Sequence, residues 1–465
     1  MSWQRKKSAG TAAPARQFQG AGRQEWSGLL PVVFVSAVFI SLALRLFRLI
    51  ARYAVNIFFS DQWDFNNATL FQTHSLWEMF RWQHGPERQG LGALVSYLIE
   101  PHFQWNSRTE SFLVGALVVI VATCAIWLKK RLFGSLSLSD VCIPLIFFTP
   151  LQSGQIFVVA NWSHGPLPLL LILLYCLSWT VSNVAWRYSL VLIINFVTIY
   201  TGFGLFLGLI TPLALAVDYW LNVRHLQWGR VHFAGSLLVS LLSFASVFVQ
   251  FVFASAVDCK PNVFQAPAMY AKFTFLMFAN LVGAKGLGNF HAFIGAVLIG
   301  WMLWALAMNC GGLRISGSAR SHRYLVAAIL IVYPLVFSAI AAYGRSCLGY
   351  AEAQVSRYVM YLEPALLGLY LSLLTLPRGL LRLTALGALT ATLAGTIPIR
   401  TQEQFGMEYY RQLKEGWKGC YLTYADISTC DKLTGHWIYS SSNDNALQER
   451  LNYLKRTKQN LYADQ

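Results

Sequence analysis

The sequence predicts an all-α polytopic membrane protein with about eleven transmembrane helices, a helical first external loop and a small external C-terminal tail. Three observations carry that expectation. Of 465 residues, 56% are hydrophobic and only 12% charged, about half the charged share of a soluble domain. The apolar residues gather into repeated, nearly uncharged runs, each close to the ~20 residues that cross a bilayer. Lys and Arg collect at the ends of those runs. An ordinary cytosolic enzyme, a disordered chain and a disulfide-dense secreted scaffold are excluded.

Residues 1–28 are polar and basic, with Arg5, Lys6, Lys7, Arg16 and Arg23. With no short apolar core and small-residue cleavage site, they read as a cytoplasmic N-terminus rather than a signal peptide. A transmembrane domain over 29–398 follows, with apolar runs at 29–50, 111–128, 139–159, 166–186, 188–204, 205–221, 232–256, 288–308, 324–343, 359–377 and 380–398. The segment 268–284 is apolar enough to be re-entrant or interfacial. With the N-terminus inside, short cytoplasmic segments carry Lys129-Lys130-Arg131, Arg187, Arg224, Arg230, Arg314, Arg320, Arg323, Arg378 and Arg382, as the positive-inside rule requires. The first external loop, 53–110, and the tail, 399–465, then share the external face, with the C-terminus outside. No internal repeat of the transporter kind is visible.

The net charge of +16 is spread over the ends of runs and not gathered in one patch. Membrane lipids or an anionic lipid-linked substrate are therefore the expected partners, and nucleic acid is not. Cys124, Cys142, Cys176 and Cys310 read as small apolar residues of the spans. Cys420 and Cys430 in the tail are a candidate disulfide pair if the outside is oxidising. His436 alone does not make a zinc site.

No Asp or Glu falls in the middle of an apolar run, whereas Asp61, Asp64, Glu78, Glu87, Glu100 and Glu110 all lie in the first external loop. That distribution favours chemistry at the outer surface over an ion-coupled pathway through the membrane. Phe58-Phe59-Ser60-Asp61-Gln62-Trp63-Asp64-Phe65 puts two carboxylates three apart among aromatics, with Trp63 between them. The segment reads either as a capped interfacial helix or as a general base or metal ligand. His84-Gly85-Pro86-Glu87-Arg88 is either a polar turn or a second pocket wall, with His84, Glu87 and Arg88 contacting sugar or phosphate. The hairpin from Tyr343-Gly344-Arg345 through Glu352 to Ser356-Arg357-Tyr358 carries two arginines suited to snorkelling or to bidentate phosphate binding. Glu352 and Tyr358 are candidate substrate contacts. Lys285, in Gly283-Ala284-Lys285-Gly286-Leu287-Gly288, is a third candidate cation for a lipid phosphate; its context is not a nucleotide-binding loop.

Together these features resemble the C-type glycosyltransferase superfamily over 29–398, and more closely bacterial uncharacterised membrane proteins with an Asp-x-Trp-Asp loop, a Gly-Arg…Ser-Arg-Tyr hairpin and a Cys-containing tail. Here these are Asp61 to Asp64, Gly344 to Tyr358, and Trp417 to Tyr462. The resemblance implies an inverting enzyme that takes sugar from a polyprenyl-phosphate donor and passes it to a glycan, lipid or protein acceptor. An acid of the first loop, Asp61 or Asp64, serves as base. The Asp-x-x-Asp spacing departs from the commoner Asp-x-Asp. The cofactor is therefore unknown: a divalent metal such as magnesium or manganese is compatible with the acids but not required. An oligosaccharide polymerase or ligase is the alternative enzyme, and a lipid or polysaccharide transporter the alternative class.

Overall fold

A computed structural model describes residues 21–67, 75–253, 265–315, 318–439 and 444–463. It is helical nearly throughout; the strands among the described residues are β1 (Gln83–His84) and β2 (Glu87–Arg88), an antiparallel hairpin. From the N-terminus come α1 (Ala21–Tyr53), α2 (Gln62–Asn67), α3 (Leu76–Phe80), α4 (Gly90–Ile99), α5 (Ser107–Phe133), α6 (Cys142–Phe147), α7 (Pro166–Ser178), α8 (Val184–Thr198) and α9 (Leu205–Asp218). There follow α10 (Gly229–Ser246), α11 (Pro267–Leu281), α12 (Asn289–Ile315), α13 (Ser318–Arg345), α14 (Val359–Thr375), α15 (Leu380–Ala394), α16 (Thr401–Tyr424), α17 (Ile427–Thr434) and α18 (Asp444–Thr457).

Among the described residues, six helical stretches are long and apolar enough to cross a membrane: Leu29–Tyr53, Ser107–Phe133, Gly202–Val223, Asn289–Ile315, Ser321–Leu348 and Ser356–Thr375. Leu138–Gln152, Pro166–Ser178, Val184–Thr198 and Leu380–Ala394 are apolar but shorter. The expected run at 139–159 is broken at Phe148-Thr149-Pro150, where Thr149 caps a new turn, and ends in a widened turn at Gly154–Val158. Proline removes a helical hydrogen bond, and such a break is tolerated at membrane depth where protein surrounds it. α14 is buried along almost its whole length and forms the centre of the bundle. One acid does sit inside a span: Glu363 of α14 is fully buried, and neither carboxylate oxygen has a hydrogen-bond partner among the described residues.

At the end of the bundle that carries the Lys129-Lys130-Arg131 run, buried ion pairs pin the helices. Lys129 meets Asp140 at 2.6 Å, and Tyr370 donates to the same carboxylate. Arg187 meets Asp218 at 2.9 Å, with His322 at 3.1 Å on its other oxygen. Leaving one such partner unpaired in a low-dielectric interior is expensive, so these pairs fix helix register more than they add stability.

At the opposite end, the first loop and the tail fold as one unit instead of two appendages. Trp63, Trp105, Trp417, Tyr421, Leu451, Leu454 and Leu461 share a buried apolar cluster. Asn56 donates to Asn460 O at 2.7 Å, Asn460 to Trp105 O at 2.6 Å, and Arg450 to Trp63 O at 2.7 Å. Cys420 and Cys430 are bonded, closing α16 onto α17, whose first turn is capped by Asp426. Trp63 therefore occupies this core, 0% exposed, and is not the substrate contact expected from its place between two acids. Its large apolar ring is more stable buried than in water.

Trp417→Ala is expected to destabilise the loop–tail unit by ~3–5 kcal/mol. Its signature is faster limited proteolysis of that unit, with the transmembrane part unaltered.

Candidate functional site

Between the loop–tail unit and the bundle lies a cavity of about 550 Å³. Its walls come from five separate stretches of chain: Ser60 and Asp61, the break at Ser153–Gln155 with His164, Lys285, Glu352 with Ser356 and Arg357, and Glu403 with Tyr410 on α16.

The first wall is set by a turn. Ser60 adopts φ +53°, a left-handed conformation uncommon outside glycine. It is held by its own N–H, which donates to Ile438 O at 2.8 Å, and by Gln62, whose side chain accepts from Phe59 N and reaches Glu110 at 2.8 Å. This turn presents Asp61 to the cavity. Asp64, three residues further on in α2, lies beside Asp61 but does not line the cavity: Tyr439 of the tail donates to it, and His84 Nδ1 stands 3.8 Å from its other oxygen. Burial pushes the Asp64 carboxyl above its ordinary value, against the Tyr439 hydrogen bond and the His84 charge. Asp61, Asp64 and His84 each offer a ligand atom within 4.8 Å of the others, and form the set among the described residues that could hold a metal ion. Two carboxylates and an imidazole suit manganese or zinc better than magnesium.

Behind this wall, Glu87 faces Arg345, Arg357 and Asp61. Burial pushes its carboxyl up to about 7 despite the two arginines. His164 is pushed down to about 4, first by burial, and is neutral. Gln89 donates to its Nε2 at 2.9 Å, which puts the imidazole proton on Nδ1.

The second wall is cationic, and each cation already has a carboxylate. Glu352 pairs directly with Arg357 and lies 3.9 Å from Arg345. Lys285 lies 3.5 Å from Glu403, which also caps the first turn of α16 through Arg400 N. Gln354 ties the glycine-rich segment to the hairpin by accepting from Gly286 N at 2.9 Å and donating to Gly286 O at 3.1 Å, and Arg400 donates to Gly283 O. A side chain at Gly154 would collide with Ser356 Oγ, so the broken span and the hairpin are locked at van der Waals contact.

The fold thus gathers Asp61, Lys285, Glu352 and Arg357 around one cavity, with Asp64, His84, Glu87 and Arg345 just behind. Two other candidates are structural. Arg88 is buried and donates to the carbonyls of Val247, Val249 and Arg81, so its guanidinium is consumed in holding the segment after α10. Tyr358 is 1% exposed and packs under Arg357, 5.5 Å from ring to guanidinium; it supports the arginine and does not face the cavity. His164, Glu403, Gln354 and Tyr439 were not singled out from the sequence. His164, in Ser163-His164-Gly165-Pro166, interrupts two apolar runs as the His84 turn does, a signal that could have found it; the other three carry none.

Compared with models of known protein families and with curated proteins, the chain matches neither. The functional reading therefore rests on the site itself.

Ionisation of Glu87 adds a negative charge beside Arg345 and Arg357. Sulfate affinity at this site should fall as pH rises from 6 to 8, and Glu87→Gln should remove that part of the dependence. Titration of the two proteins by calorimetry across this range checks it.

Proposed function

We propose that the protein is an inverting C-type glycosyltransferase that moves a sugar from a polyprenyl-phosphate donor to a glycan, lipid or protein acceptor at the outer face of a bacterial inner membrane. The observation that carries this reading is the placement of Asp61 across one cavity from Arg357 and Lys285. A base and an anion site face each other with room for a sugar between them. In the reaction Asp61 takes the proton of the acceptor hydroxyl, and the oxygen attacks the anomeric carbon from the side opposite the phosphate. The bond from that carbon to the phosphate oxygen breaks, and its electron pair stays on polyprenyl phosphate, which gains one negative charge. Arg357, Arg345 and Lys285 meet that charge where it develops. Asp61 is the better base because it opens to the cavity, while Asp64 is engaged by Tyr439 and His84.

The orientation has support from sulfur chemistry. Cys420–Cys430 and Cys347, also disulfide-bonded, lie on the side of the molecule that carries the site, while Cys124, Cys142, Cys176 and Cys310 are free. Disulfides persist in oxidising compartments, which favours a periplasmic site and tail. Eleven crossings follow if the broken segment 142–158 and the shorter helices α7, α8, α10 and α15 each span. An oligosaccharide polymerase or ligase would use the same base and anion site with a lipid-linked glycan as donor. A transporter is favoured by one observation, the unpaired Glu363 inside α14; coupled transport would be lost in Glu363→Gln, whereas sugar transfer would persist.

Asp61→Asn should lower transfer by ~10²–10⁴-fold, as loss of a general base does, while Asp64→Asn should cost less. Arg357→Lys should weaken use of the donor with folding retained, because an ammonium lacks the guanidinium fork. Assays with a polyprenyl-phosphate sugar in proteoliposomes check both, and full activity of Asp61→Asn rejects the mechanism. Reductant-dependent thiol labelling of intact cells at Cys420 and Cys430 checks the sidedness; labelling without reductant rejects the pairing.

A further inference from the structure

Helix α1 carries Arg45, Arg48 and Arg52, spaced so that all three share one stripe of the helix. At 1.5 Å per residue, Arg45 lies ~10 Å deeper along the axis than Arg52. The helix is among the least buried of the spans; Arg48 and Arg52 are exposed and Arg45 is partly so. Arg52 stands over the Tyr53 ring and in the field of Glu408 on α16. Arg45 makes no hydrogen bond or ion pair among the described residues, yet it feels the charge of Glu403, a residue of the cavity wall. Beside it Leu46 and Leu49 of α1 line a small apolar crevice with Phe148, Ile156 and Phe157 of the broken span. Ser153 lines both this crevice and the cavity wall.

Arginine inside a span is costly and usually marks function. In the proposed orientation these three also lie at the outer end of α1, where the positive-inside rule depletes basic residues. Snorkelling carries Arg52 and Arg48 to the headgroups; Arg45 lies too deep to share them unless a phosphate is drawn down to it. A phosphomonoester carries nearly two charges at neutral pH against one on a phospholipid diester, and three arginines favour the former.

We infer that Arg45, with Arg48 and Arg52 above it, docks the phosphomonoester of the spent polyprenyl carrier lipid on the exposed side of α1, beside the cavity wall. The identity of the lipid rests on the transferase reading, while the site itself does not. The donor is a phosphodiester with a single charge, so the dock selects the carrier phosphate that transfer releases.

The test places p-benzoylphenylalanine at Leu49 in the full-length protein, held in phosphatidylcholine nanodiscs, and measures photo-crosslinking to a radiolabelled polyprenyl monophosphate. Crosslinking should saturate, fall about tenfold in Arg45→Gln and less in Arg45→Lys, and fall a few-fold in Arg48→Gln, whose exposed position leaves folding untouched. Arg357→Gln should keep the crosslink while losing transfer. Phosphatidylglycerol at equal charge should compete poorly. Equal competition by phosphatidylglycerol would overturn the assignment to the carrier, and crosslinking indifferent to both Arg45 and Arg48 would overturn the dock. A saturable, Arg45-dependent crosslink in a protein with no transfer activity would uphold the dock and reject the transferase.

Discussion

Everything proposed for the site depends on the joint between the first loop and the tail. The loop alone is a turn, three short helices (α2, α3 and α4) and a hairpin of two-residue strands, too little to bury its own apolar side chains. The tail supplies the missing half. Trp417 and Tyr421 join Trp63 in one buried apolar cluster, Ile438 O accepts the N–H of the strained Ser60, and Tyr439 holds Asp64. The left-handed Ser60 turn costs conformational energy that only a surrounding, over-determined structure can hold. Asp61 reaches the cavity because residues nearly four hundred positions later hold the turn behind it.

The cavity is electrostatically balanced in the absence of any ligand. Glu352 serves Arg345 and Arg357, and Glu403 serves Lys285. An incoming anion therefore competes with carboxylates already in place, which lowers affinity but keeps the cations aimed. Glu87 and His164 show the same economy. Burial moves the acid up and the imidazole down, so both stand near neutrality beside the charges that act.

The break in the chain at Phe148–Val158 matters for the same reason as the joint. A straight helix would close the bundle over the cavity floor; the Thr149-Pro150 turn and the wide turn after it place Ser153, Gly154 and Gln155 there instead. Gly154 is the smallest solution to a contact with Ser356 that admits no side chain.

Composition and run length determined that the chain is an all-α membrane protein and where its long apolar helices lie, because burial in lipid demands apolar residues and satisfied backbone whatever the tertiary packing. They also singled out Asp61, Glu352, Arg357 and Lys285, since acids and cations at an apolar boundary are costly without a purpose. Sequence could not say that these four meet, because the stretches holding them lie up to 296 positions apart and only helix packing brings them together. Nor could it tell which polar or aromatic neighbour faces inward. Trp63, Arg88 and Tyr358 have the same local context as the residues that line the cavity, and their orientation was decided by what packs on them from the tail, from the segment after α10 and from Arg357. The helices shorter than a bilayer is thick were likewise settled by tertiary structure, where neighbouring protein satisfies the backbone that lipid cannot.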